Sequence, residues 1–258
     1  MGLSLDHLQI LNTMKTLSGW ICLVILVVYC STLADKAYAD TPASPAEKSF
    51  DAPHGMKISV KMVAPYGQST DLQIICAFKH KPSGDSYIEA MKDFDDKLGG
   101  LLSALRNRGE FVGELGETIL FNPPAGTIVP KRVLVIGLGD ESQLSLGTMR
   151  VVGAVALREA IHLKASHVAF APVLRDQGNS TLDVGECDRN VEESVILAYD
   201  TEKRLQAQGL ADSFSIQDWT IEAGPKFFDS VAGQLPVGIA TTAKEISLRD
   251  KAPYSNIR

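Results

Sequence analysis

The chain has 258 residues, with 25 Lys and Arg against 31 Asp and Glu, for a formal net charge of −6. That acidic balance argues against nucleic acid as a partner and against docking on anionic lipid, since both rest on clustered cations. Four cysteines, with no Cys-x-x-Cys pair or nearby His ladder, leave no zinc-type ligand set.

The first apolar run is Trp20-Ile21-Cys22-Leu23-Val24-Ile25-Leu26-Val27-Val28-Tyr29-Cys30, preceded by Lys15 and followed by Ala37-Tyr38-Ala39. A positive flank, a short apolar core and small residues at a cleavage point predict a secretory signal over residues 1–39. The run is too short for a membrane-spanning helix, which needs about 20 residues. Met14 offers a second start that would shorten the flank, and bulky Tyr29 argues against lipidation of Cys30. The expectation is export to the periplasm or extracellular space, with no stable membrane anchor after cleavage. Cys22 and Cys30 leave with the signal. Cys76 and Cys187 stay, and spacing alone does not decide whether they pair.

Residues 40–55 are rich in Pro, Ala and Ser and predict a flexible leader. Residues 56–225 then alternate strands with helices. Lys57-Ile58-Ser59-Val60-Lys61 has period two, and Leu72-Gln73-Ile74-Ile75-Cys76-Ala77 reads as an inner strand. A helix is expected over residues 85–106, with Ile88, Met91, Leu98, Leu102 and Leu105 on its apolar face. Strands follow at residues 118–122 and 132–136. Ser145 is placed to cap a helix over 146–163, in which Gly153 allows close approach to the sheet. Residues 167–171 read as a strand, 175–188 as a polar loop holding Cys187, and 190–206 as a helix. Short strands are expected at 214–216 and 219–221. Residues 226–258 read as a C-terminal helical region, interrupted near Pro236, and a junction. Strands alternating with helices predict one α/β domain, a layered and mainly parallel mixed sheet flanked by helices.

Sites are sparse. Asp93, Asp95 and Asp96 fall on different sides of a helix, and His162 and His167 flank a helix–strand junction, so neither set converges on a metal. Gly137-Leu138-Gly139 at a strand end is the one candidate ligand loop, through backbone N–H groups. Against it, the full dinucleotide fingerprint is missing, and Asp140 and Glu141 follow. No Gly-x-Ser-x-Gly elbow occurs. Asn179-Ser180-Thr181 is formally a glycosylation sequon. No catalytic residue, metal ligand or cofactor is predicted.

Phe94-Asp95-Asp96-Lys97-Leu98-Gly99-Gly100-Leu101-Leu102-Ser103-Ala104-Leu105, then Gly113-Glu114-Leu115-Gly116-Glu117-Thr118, then Arg132-Val133-Leu134-Val135-Ile136-Gly137-Leu138-Gly139 resemble the N-terminal domain of leucyl aminopeptidases, the M17 metallopeptidase family. Ala198-Tyr199-Asp200-Thr201-Glu202-Lys203 and the closing Leu248-Arg249-Asp250 fit the same pattern. The resemblance implies a macro-domain-like fold. It also places residues 243–258 at the junction to a catalytic domain whose Asn-Thr-Asp-Ala-Glu-Gly-Arg signature does not occur in this chain. The leading expectation is an exported, non-catalytic module working by protein contacts, with itself or a full-length aminopeptidase as partner. The alternatives are one part of a split metal-dependent leucyl aminopeptidase and a macro-like domain that binds a small nucleotide ligand.

Overall fold

The structure is a computed structural model and describes residues 45–249. The signal read over residues 1–39 and the closing segment from Asp250 onward lie outside the described residues. Among the described residues, no helix is long and apolar enough to cross a membrane.

Among the described residues, seven strands form one sheet: β1 (Glu47–Asp51), β2 (Lys57–Lys61), β3 (Leu72–Ala77), β4 (Thr118–Phe121), β5 (Val133–Gly137), β6 (His167–Ala171) and β7 (Asp218–Glu222). Their order is β1-β2-β7-β6-β3-β5-β4. The five inner strands are parallel, and β1 and β4 pair antiparallel at the two edges. Among the described residues, five helices flank the sheet: α1 (Glu89–Lys97), α2 (Leu101–Asn107), α3 (Leu146–His162), α4 (Val184–Ala207) and α5 (Phe228–Arg249).

The period of two sorts each strand between two cores. Ile58 and Val60 of β2, Trp219 and Ile221 of β7, and Val168 and Phe170 of β6 face α3, α4 and α5 in the larger core. The opposite face is apolar around β3 and β5, where Ile75, Val133 and Val135 meet Met91, Phe94 and Leu102 of α1 and α2, with Ile119 and Phe121 of β4 and Ala171 at the end of β6 beside them. Toward β7 and β2 that face turns polar yet stays buried. There Ser59 and Thr220 share a hydrogen bond at 3.0 Å, and Gln73 Nε2 donates to Glu222 Oε2 at 2.6 Å.

Several expectations change. The leader read over 40–55 contains β1, whose residues pair one for one with β2. It is held by a backbone ladder, so its exposed, polar composition carried no signal. The single helix expected over 85–106 is two, because Gly99 and Gly100 both take positive φ (68° and 78°), a conformation that ends an α-helix. The polar loop drawn over 175–188 stops early. Asp183 accepts from Glu186 N and starts α4 at Val184, which buries Cys187. Cys76 and Cys187 are both free thiols. Residues 214–216 form no strand, although Ile216 is buried and bonded through its backbone to Tyr199 Oη. α5 runs through Pro236 without interruption, and its Phe228, Val231, Leu235 and Ile246 belong to the larger core, so no boundary falls at 226. Gly153 does allow a close approach, but to α4: a Cβ there would lie 2.5 Å from the Val191 carbonyl oxygen.

Candidate functional site: a carboxyl-lined cleft at the strand ends

In open parallel sheets, ligands gather beyond the carboxyl ends of the strands. Here the ends of β2, β6 and β7 open into a cleft of about 470 Å³. Its apolar wall includes Pro172, Val184 and Phe227, and its polar groups are mainly acids: Glu89, Asp176, Asp188 and Glu222, with Arg175 as the cation of the lining.

The rim is built by the loop between β6 and α4. Gln177 pins it to the end of β3, donating from Nε2 to the Cys76 and Val173 carbonyls and accepting at Oε1 from Phe78 N. Arg175 holds it from inside, donating to the Asn179 and Leu182 carbonyls at 2.7 and 2.5 Å, with its guanidinium 6.0 Å from the Phe227 ring centroid. Asp176 caps α1 from outside that helix, because Ile88 at its start has no side-chain acceptor. Its Oδ2 accepts from Met91 N at 3.1 Å, and its carbonyl accepts from Ile88 N at 2.8 Å. Two lining residues, Glu89 and Val173, sit at positive φ (47° and 46°). A β-branched residue there is strained, and such strain concentrates at binding sites.

Two carboxyls enter from different layers. Asp188 comes from the early turns of α4, and Glu222 from the end of β7 on the polar sheet face. They are 1% and 7% exposed, and Asp188 Oδ1 and Glu222 Oε1 have no hydrogen-bond partner within the protein. Burial raises both pKa values to about 8. Asp183 pushes Asp188 further up, while the Gln73 amide and Lys61 pull Glu222 down. Burial also raises Asp176 to about 6, against the opposing Met91 N–H. At neutral pH, Asp188 and Glu222 are therefore mainly protonated acids. Burial pushes the Cys187 thiol up to about 12, with Asp188 adding to the effect, so it stays protonated.

The expected ligand loop lies elsewhere. Gly137 and Gly139 do not line the cleft, and the amides of Gly137, Leu138 and Gly139 donate to the carbonyls of Glu117, Ala77 and Gly113. In this conformation the turn offers a ligand no free amide. Gly137 is required for packing, since a Cβ there would lie 2.0 Å from the Glu114 carbonyl oxygen. The three aspartates of α1 go to separate tasks. Asp95 accepts from the Leu102 and Ser103 amides at the start of α2, Asp96 pairs with Lys92, and Asp93 accepts from Tyr66 Oη. His162 lies near Glu159 and His167 pairs with Asp218. Among the described residues, no group of three His, Cys, Asp or Glu side chains is close enough to hold a metal ion.

Sequence reading missed the cleft because its members come from four segments far apart in the chain. Glu222, closing the apolar run Trp219-Thr220-Ile221, was the one local signal of a buried acid.

Residues 74–197 match the sequence model of the cytosol aminopeptidase family, N-terminal domain. A probable cytosol aminopeptidase of Alkaliphilus oremlandii is 33% identical over 97 residues, covering 38% of this chain and 19% of the relative. One from Roseiflexus castenholzii is 30% identical over 128 residues, covering 49% and 23%. The chain thus spans about a fifth of the length of these relatives. Among solved structures, an Oceanobacillus iheyensis macrodomain superposes with a TM-score of 0.55 at 12% identity, covering 78% of this chain and 98% of that one. A tomato leucine aminopeptidase superposes with a TM-score of 0.54 at 20% identity, covering 80% of this chain and 39% of that one. Sequence and fold together support an N-terminal domain like that of the cytosol aminopeptidase family over residues 74–197, within a macrodomain-like α/β fold.

Proposed function

We propose that the domain is a non-catalytic binding module of an exported aminopeptidase-type protein, and that the cleft beyond β2, β6 and β7 is where it holds a small ligand. The observation that carries this reading is the cleft itself: a preformed, largely apolar cavity of about 470 Å³ with a few convergent polar groups, the usual form of a small-molecule site. Its strained rim residues and unpartnered buried carboxyl oxygens add weight, because a packed core has no use for either. A protonated Cys187 in the wall favours binding over nucleophilic chemistry.

The test is a fragment screen read by protein NMR on the full chain, with Gly224→Phe as the blocked control. Gly224 lines the cleft, and a Cβ there meets nothing within 4 Å, so a large side chain can fill the space without a backbone clash. Fragments should shift cleft resonances in the wild type and not in the variant. Shifts confined to other surfaces would end the reading. Leucine anilide should not be turned over with added manganese or zinc, and chelator-sensitive turnover would restore the split-enzyme alternative. Export is checked by N-terminal sequencing of chain recovered outside the cytoplasm, expected to begin at Asp40.

A second reading, docking to another copy or to a full-length aminopeptidase, is favoured by exposed Leu115, Leu120 and Val129 near β4, whose outer edge is unpaired among the described residues. Light scattering after size exclusion tests it, and a strict monomer that retains no aminopeptidase would count against it.

A further inference from the structure

We propose that two copies of this chain join through β4, edge to edge and antiparallel, about a two-fold axis at Leu120. The proposal rests on the second reading above, docking to another copy, and names the strand and its register. It does not depend on the cleft.

The backbone ladder carries it. Gly137 N donates to the Glu117 carbonyl at 2.8 Å, in line with the register that sets Thr118 opposite Ile136 and Leu120 opposite Leu134. Bonded and unbonded pairs alternate along an antiparallel ladder. Ile119 and Phe121 therefore turn their N–H and C=O groups toward β5, and Thr118, Leu120 and Asn122 turn theirs outward. No other strand among the described residues pairs with that side of β4. The loop after β4 runs inward, with Ile128 packed on the smaller core and Val129 N donating to the Tyr66 carbonyl.

One register uses all three outward residues. It sets Leu120 opposite Leu120 of the second copy, where each N–H meets the other's carbonyl, and Thr118 of each copy opposite Asn122 of the other. Sliding either way gives up at least one bonded pair. The side chains match in the same register, because residues directly opposite share a face of the sheet. Leu120, 42% exposed, meets its own counterpart on the α3 side, and Ile119 meets Phe121 on the other. Both faces of the contact are apolar. Helix α3 borders the start of β4 with more of the same. A Cβ at Gly116 would lie 4.0 Å from Val155, and exposed Val151 sits one turn before it on that side of the helix.

Charge selects a second copy as the occupant. Residues 118–122 carry no charge. The carboxylate of Glu117 just before them is turned back onto the Val112, Gly113 and Glu114 amides. Two copies therefore meet here without repulsion. The other edge is guarded in the way edge strands usually are, by charged side chains. Self-pairing of β1 about Ser49 would set Glu47 opposite Asp51, like charges in direct register.

Sedimentation velocity of the full chain over a concentration series tests this, and a reversible monomer–dimer equilibrium is expected. Leu120→Lys sets two ammonium groups face to face and should weaken the dimer about tenfold. Leu120→Pro removes the outward N–H and should weaken it as much. Thermal midpoints should confirm that both variants fold, since the groups they change face solvent. Under mild oxidation Leu120→Cys should form a disulfide-linked dimer, because Cα atoms of a bonded pair lie about 5.5 Å apart, within disulfide reach. Val237→Cys, similarly exposed on α5, should not. A monomer at every concentration would overturn the proposal together with docking to another copy. Dimers indifferent to Leu120→Lys and Leu120→Pro would overturn the β4 contact and leave self-docking standing. Dimers that respond to both, yet give no cross-link at residue 120, would overturn the axis at Leu120.

Discussion

Glu222→Gln is the sharpest probe of the buried acids, because it removes the ability to ionise while keeping shape and hydrogen bonding. The glutamine oxygen can still accept from Gln73 Nε2, which lies 2.6 Å from Glu222 Oε2 in the wild type. The sign follows from linkage. Burial raises the folded pKa from 4.5 to about 8. Between those values the folded state keeps a proton that the unfolded chain has lost, so stability is highest below about pH 4.5 and falls until pH passes the folded pKa. The slope for one such group is about 1.4 kcal/mol per pH unit. From pH 5 to pH 8 this amounts to up to about 4 kcal/mol that Glu222 withdraws from the wild type and the substituted glutamine does not. Urea unfolding at pH 5, 6, 7 and 8 measures it. The variant should match the wild type near pH 5 and exceed it progressively toward pH 8, with an unchanged m-value. Parallel pH profiles for the two proteins would refute the claim that Glu222 is a neutral acid in the fold.

The remaining expectations concern the scaffold. Asp85→Ala should cost about 3–5 kcal/mol, because it strips the counter-charge from Arg106, whose side chain is 1% exposed and whose Nη2 lies 3.0 Å from Asp85 Oδ1; thermal unfolding would show the loss. Ser145→Ala removes the side-chain acceptor of Thr148 N and the capping box of α3, and should cost about 1 kcal/mol in urea unfolding. Gly153→Ala drives a Cβ to 2.5 Å from the Val191 carbonyl oxygen and must part α3 from α4, at about 1–3 kcal/mol. A variant as stable as the wild type would show that the two helices can separate freely there.

Much of the fold was legible in local pattern. The runs Leu72–Ala77 and Val133–Gly137 bury every residue, as their continuous apolar character required. Ser145 caps α3 where its spacing placed it, because a cap needs only a hydroxyl and an amide three residues on. The elements that misled are those whose cause is not local. β1 exists because β2 offers a free edge, and Pro236 stays helical because α5 is packed along α4. The candidate ligand loop also depends on company that is not local. Gly137 and Gly139 have the sequence of a phosphate turn, but their amides are taken up by neighbours that only the folded chain brings near.

By itself, the sequence determined the fold class, the main strands and helices, and the likeness to an aminopeptidase N-terminal domain, since each depends on periodicity, composition or motif order along one stretch of chain. Only the tertiary structure decided the strand order, the second polar face of the sheet, and the placing of Asp188 and Glu222 in the lining of one cleft. Periodicity shows which residues turn inward, but not which others they will meet. An acid's charge state depends on that company, because burial and neighbouring groups set its pKa.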